Sequence, residues 1–187
     1  FVQQIWELLG YQAASIGTLG VQGEFYYNLK NTTPEPVLLH KILRKLSERG
    51  VDRVVMEASS HGLDQSRLDG VTLKAAAFTN LSRDHLDYHT DEDEYLASKC
   101  ILFDRVLPNG QIVVLNIDDP YAQVVKLISE SKGHKVIKVG THISADLRIC
   151  DHRFDSDGQS LKIKYLDKTY VISLPLIGAF QATNVLI

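Results

Sequence analysis

The stretch VDRVVMEASSHGLDQSRLDGVTLKAAAFTN, residues 51–80, sets the fold class. VDRVVMEA is a short run rich in β-branched residues and reads as a buried strand. LKAAAFTN reads as another strand, and a polar segment separates the two. Helical patterns lie on either side. Upstream, Thr32-Thr33-Pro34-Glu35 offers a hydroxyl cap candidate and a first-turn proline for a helix running to Gly50. Downstream, DEDEYLASKCILFDRVL, residues 91–107, reads as a helix that stops before the turn Pro108-Asn109-Gly110.

The alternation continues outward. FVQQIWELLG is a helix pattern closing on Gly10. A strand follows at Ala13–Thr18, then a glycine-bearing loop with Tyr26 and Tyr27. On the other side come the strand QIVVLN, a helix opened by Asp118-Asp119-Pro120, and the strand HKVIKVG. This order implies an α/β fold, a mainly parallel sheet flanked by helices. ADLRICDHRF, LKIKYLD and KTYVISLPL then alternate with period two around short turns. They read as antiparallel strands added near the C-terminus. GAFQATNVLI resembles a helix that has just begun, and the opening helix has no cap before it. Residues 1–187 are therefore expected to be one domain cut from a larger protein.

Bulk properties narrow the function classes. The 187 residues suffice for one full core, and 44% hydrophobic with 23% charged residues is ordinary for a soluble globular chain. A net charge of −3 gives no electrostatic footprint for nucleic acid or an anionic membrane. No apolar run approaches the ~20 residues of a membrane span. The two cysteines, Cys100 and Cys150, have no metal-type spacing, so a reduced, cytoplasmic setting is expected.

Lys99 is the oddest residue. At 100° per residue it lies amid Tyr95, Leu96, Leu102, Phe103 and Val106, in the middle of the apolar stripe. A lysine there must snorkel, pair, lose its charge or be modified. A desolvated amine has a lowered pKa, and a neutral amine can take up CO2 as an anionic carbamate. Glu57 follows VVM at the end of a strand, the edge where ligands gather in open α/β sheets. It suits a hard cation such as magnesium, or equally a cap or a solvated loop. SRDHLDYH carries His85 and His89 four apart, but no HExxH motif accompanies them. Ser59-Ser60-His61-Gly62 lacks a GxSxG elbow and reads as a set of contacts to polar ligand atoms.

MEASSHGLDQSRLDG, TNLSRDHLDYH, YLASK, NIDDP and LIGAFQATN together resemble the ATP-dependent Mur ligases of peptidoglycan synthesis. The order and spacing match over nearly the whole chain. NTTP with ASSHGLDQSR favours the branch that adds the third residue to UDP-N-acetylmuramoyl-L-alanyl-D-glutamate. The resemblance implies a P-loop NTPase-like central domain, with ATP as co-substrate and Mg2+ as cofactor. It implies a carbamylated Lys99 that helps place the magnesium, and Glu57 and His85 as metal contacts. It implies that Asn31, Thr32, Thr33, Ser59, Gln65 and Arg67 contact the UDP-muramoyl dipeptide, and that Asn184 lies near adenine. Gln181 stands where many relatives have an asparagine.

The incoming amino acid is expected to be meso-diaminopimelate, with L-lysine open. No GxxxxGK[ST] loop occurs in the chain. The phosphate loop and the N- and C-terminal domains of relatives are therefore expected to be absent, and the chain alone to be inactive. Alternatives are another Mur ligase, a folylpolyglutamate synthase or, from a different class, a carbamylated-lysine metal hydrolase. The hydrolases usually carry HxH, which does not occur here.

Overall fold

A computed structural model describes residues 1–82 and 88–187. The described residues fall into two compact units: residues 1–71 with 88–102, and residues 72–82 with 103–187.

The first unit holds β1 (Ala13–Gly17), β2 (Gly20–Gln22) and β3 (Arg53–Met56) in the order β2-β1-β3. β1 and β3 are parallel, with Ile16 opposite Met56, and β2 folds back antiparallel on β1. The helices are α1 (Val2–Leu8), α2 (Pro36–Glu48), α3 (Ser60–Asp64) and α4 (Glu92–Ile101). α2 buries Leu39, Ile42 and Leu46, the three-and-four spacing of one helical face. They pack with Ala14, Ile16, Val21 and Val51. Each large aliphatic side chain so buried contributes about 1.5–3 kcal/mol.

The second unit is built on β4 (Ala75–Phe78), β5 (Ile112–Asn116), β6 (Lys135–Gly140), β7 (Leu147–Asp155), β8 (Gly158–Tyr165) and β9 (Lys168–Leu174), hydrogen-bonded in that order. The pairs from β4 to β7 are parallel, and β7-β8-β9 is antiparallel. The helices α5 (Ala122–Ser131) and α6 (Ala179–Leu186) belong to this unit. The sheet expectation therefore holds, with the parallel strands distributed over two sheets. Among the described residues no helix is long and apolar enough to cross a membrane.

Three local expectations fail for physical reasons. Neither Thr32 nor Thr33 caps α2: Glu35 is its N-cap residue, without a side-chain cap, and Pro36 takes the first turn. The Thr33 hydroxyl is engaged by the loop after β3 instead. The polar loop after β3 closes into the single turn of α3, because Ser59 caps it through the Gly62 N–H. The helix carrying Lys99 is not α-helical to its end. Leu102–Val106 is a π-helical turn, which shifts the phase of the side chains beyond it. Phe103 and Leu107 are buried, and Asp104 pairs with Lys132 at 3.0 Å.

Candidate active site

Parallel pairing of β1 and β3 brings the next residue of each strand to one edge. Thr18 follows β1, Glu57 follows β3, and the Glu57 N–H donates to Ile16 O at 2.9 Å. The Glu57 carboxylate turns onto the β1 end. Its Oε2 accepts from the Thr18 N–H at 3.1 Å and from the Thr18 hydroxyl at 2.8 Å. Gly17 makes this possible, because a Cβ there would stand 2.6 Å from the Glu57 carboxyl carbon. Thr18 Oγ1 also lies 3.1 Å from Thr32 Oγ1. Thr18 has one hydroxyl proton and gives it to the carboxylate, so Thr32 is the donor in that pair.

Thr33, fully buried, ties the same loop from below. Its hydroxyl donates to Glu57 O at 2.9 Å and accepts from the Ser59 N–H at 2.9 Å. The Ser59 hydroxyl stands 3.1 Å from Thr33 Oγ1 and also accepts from the Gly62 N–H. Arg67 completes the ring of contacts. Its Nη1 donates to Thr33 O at 2.9 Å, its Nε donates to Gln65 Oε1 at 3.0 Å, and its Nη2 pairs with Glu35 at 3.1 Å. Gln65 Nε2 donates to the Tyr88 hydroxyl, which donates in turn to Asp64. Asn31 is exposed in the loop before Thr32.

Lys99 reaches this cluster from α4. Its Nζ donates to Ala58 O at 3.3 Å and lies 5.8 Å from the centre of the Tyr95 ring. Burial lowers its pKa from the ordinary lysine value, and the negative charge of Glu57 opposes that shift. His89 is buried against the Tyr95 ring, 5.2 Å between centroids, and close to Tyr88 and His61. Among the described residues, neither of its ring nitrogens has a hydrogen-bond partner. His85 lies outside the described residues.

Thr18, Thr32, Thr33, Glu57, Ser59, Gln65, Arg67 and Lys99 thus share the first unit. Asn184 belongs to the second, on α6, one turn beyond Gln181. Thr18 and Tyr88 were not singled out from the sequence. Thr18 could have been, since it ends a strand at the same edge as Glu57.

Among the described residues no group of three or more His, Cys, Asp or Glu is gathered. Glu57 fits a hard cation: it is an exposed carboxylate, and among the described residues its side-chain hydrogen bonds fall on Oε2. Lys99 as an ammonium has only donors and no lone pair to offer a cation.

A mixed α/β protein with a polar cluster at its parallel strand ends is the class defined here, and the comparisons place it. The Mur ligase middle domain family matches residues 1–187, and the chain belongs to that family. It is 45% identical over 190 residues to the UDP-N-acetylmuramoyl-L-alanyl-D-glutamate--2,6-diaminopimelate ligase of Mesorhizobium japonicum, covering 100% of this chain and 39% of that protein. It is 46% identical over 191 residues to the ligase of the same name from Rhizobium meliloti, covering 100% of this chain and 38% of the relative. The chain thus spans about two fifths of the length of these relatives. A solved ligase of that name superposes with a TM-score of 0.88 at 28% identity, over 99% of this chain and 38% of the other. Mycobacterium tuberculosis folylpolyglutamate synthase shares the fold, with a TM-score of 0.74 at 16% identity over 98% of this chain and 48% of the other.

Proposed function

We propose that this chain is the central domain of an ATP-dependent ligase that adds meso-diaminopimelate to UDP-N-acetylmuramoyl-L-alanyl-D-glutamate in peptidoglycan synthesis. The observation that carries this is identity of 45–46% along the whole chain with relatives of that name. The similarity to folylpolyglutamate synthase supports only the shared fold.

The reaction has two steps. The D-glutamyl γ-carboxylate attacks the γ-phosphorus of ATP, giving an acyl phosphate and ADP. The amine of the incoming amino acid then displaces phosphate and forms the amide. The obstacle is bringing two anions together, so fixed positive charge and oriented donors do most of the work. A magnesium ion, when bound, supplies charge neutralisation. Glu57 would hold it, with Lys99 as the carbamate, and His85 is proposed as the third contact. Carbamate formation consumes the neutral amine: the Nζ lone pair attacks CO2, one N–H proton leaves to solvent, and Nζ–COO− remains. Burial of Lys99 favours that step by raising the neutral fraction.

Asn31 and Thr32 are the loop groups best placed to meet the UDP-muramoyl peptide. Thr33 has already committed its one proton to Glu57 O, so its part is to hold the loop. Arg67, mostly buried, can pair with a substrate carboxylate or phosphate by exchanging it for the exposed Glu35. Asn184 is proposed as an adenine contact.

The test is made on the full-length protein that contains this chain. ATP, UDP-muramoyl dipeptide and meso-diaminopimelate should give the muramoyl tripeptide, read by mass spectrometry, with ADP and phosphate in equal amounts. L-Lysine should be a poor replacement. ADP release that ignores the dipeptide, or glutamylation of a folate, would overturn the reading.

A further inference from the structure

Gln159 is a buried polar side chain that the reaction above does not use. It is the second residue of β8 and reaches the segment joining β9 to α6. Its Nε2 donates to Leu176 O at 2.9 Å and to Gly178 O at 3.2 Å. Those two carbonyls fix which way the amide points, because only its NH2 end can donate. The Oε1 end therefore faces His152, whose Nε2 is 2.5 Å away. An amide oxygen only accepts, so His152 carries a proton on Nε2. His152 thereby holds the Oε1 end of an amide that the two carbonyls have already oriented.

The held carbonyls matter because of what they begin. Gly178 is the N-cap residue of α6, and the helix has no side-chain cap of its own. Gly178 O also accepts the Gln181 N–H at 3.0 Å. The turn before β8 seats just as closely on this segment: a Cβ on Gly158 would stand 2.8 Å from Pro175 Cα and would collide with Leu174 O. Ala182 is buried among Ile149, Leu161, Ile163 and Leu174, with Val185 and Leu186 packed alongside. Such apolar packing chooses the buried face of α6 but is weakly directional along the helix axis. The directional bonds from Gln159 set where the helix starts. Gln181 and Asn184 are three residues apart and so share one side of the helix.

We propose that Gln159, held by His152, is a positioning residue for nucleotide binding: it fixes the start of α6 and with it the placement of Asn184 and Gln181 toward the adenine base. This rests on the reading of Asn184 as an adenine contact.

The experiment compares the full-length protein with Gln159→Met, Gln159→Glu and His152→Leu. Steady-state ligation is measured alongside equilibrium titration with a fluorescent ATP analogue. Gln159→Met keeps the volume and removes the donors. It should raise KM for ATP about tenfold, leave kcat and KM for the dipeptide within about twofold, and erode the preference for ATP over GTP. Gln159→Glu cannot donate to the carbonyls and should do no better. His152→Leu removes the partner of Oε1, loosening the amide while leaving its two bonds to the carbonyls, and should raise KM for ATP by a smaller factor, about threefold. Unchanged ATP affinity and base preference in Gln159→Met and His152→Leu would overturn the proposal. A parallel loss in kcat and in KM for every substrate would overturn it too. If Gln159→Met fails to fold, His152→Leu decides alone. Should the unmodified protein bind nucleotide yet not ligate, the ligase reading falls, and the binding ratios still test Gln159.

Discussion

Around Glu57 the candidate functional side chains hold one another: Thr18 on Glu57, Thr32 on Thr18, Thr33 on Glu57 and Ser59, Arg67 on Gln65 and Glu35. At α6 the arrangement is the reverse. Asn184 and Gln181 stand on a helix whose start is held through its backbone by one amide from another strand. A side-chain network passes a change at one member to the others, and its pairwise contributions do not add. A backbone clamp confines the change to the element it holds. Damage to the buried hydroxyl links around Glu57 should therefore spread over stability and several kinetic constants, and damage at Gln159 should stay with the nucleotide.

The largest effect on stability is expected from Thr33→Val. It keeps the shape and removes a buried hydroxyl that serves Glu57 O and the Ser59 N–H. Leaving those groups unsatisfied costs about 1–3 kcal/mol. The urea midpoint should fall, and kcat and the dipeptide KM should worsen together. If only one kinetic constant moved, with the midpoint unchanged, the contrast between the two regions would be lost.

A smaller effect concerns pH. Burial lowers the pKa of Lys99 in the folded state, so the unfolded chain holds that proton to higher pH. In the window just below the ordinary lysine value the unfolded state binds more protons, and stability should rise with pH there. Below the window the protonated, desolvated amine costs the folded state its full share. Urea midpoints measured across this range in CO2-free buffer, where Lys99 stays an amine, should show a positive slope that is missing from Lys99→Met.

The smallest effect is expected from Glu35→Gln. The Glu35 carboxylate is largely exposed, so its pair with Arg67 contributes at most about 1 kcal/mol. Removing its charge frees Arg67 for a substrate anion. Stability should barely move, and KM for the UDP-muramoyl dipeptide should fall a few-fold. A rise in that KM would show that Glu35 supports the substrate rather than competing with it.

Much of this was legible in the chain. The strand–helix alternation follows from apolar runs and turn residues, and Glu57 stood out because it ends a strand. Lys99 stood out because a wheel shows a charge on an apolar stripe. The role of Thr33 was not legible, because a hydroxyl before a proline suits a cap as well as a distant carbonyl. Only the fold brings β1 and β3 side by side. The π-helical turn after α4 escaped for a similar reason: LFDRV carries no proline or glycine to mark it. Gln159 gave no sign either, since in sequence it falls in the turn region just before the strand LKIKYLD. Its importance comes from two carbonyls 17 and 19 residues away.

The most direct test of the account is at Lys99, in the full-length protein under saturating ATP, dipeptide and meso-diaminopimelate, with 13C-labelled bicarbonate present. The unmodified protein should show a carbamate carbon resonance and full turnover. Lys99→Ala should lose that resonance and slow turnover by about 100-fold or more. Turnover within a few-fold of the unmodified protein in Lys99→Ala would contradict the placement of the reaction at this site.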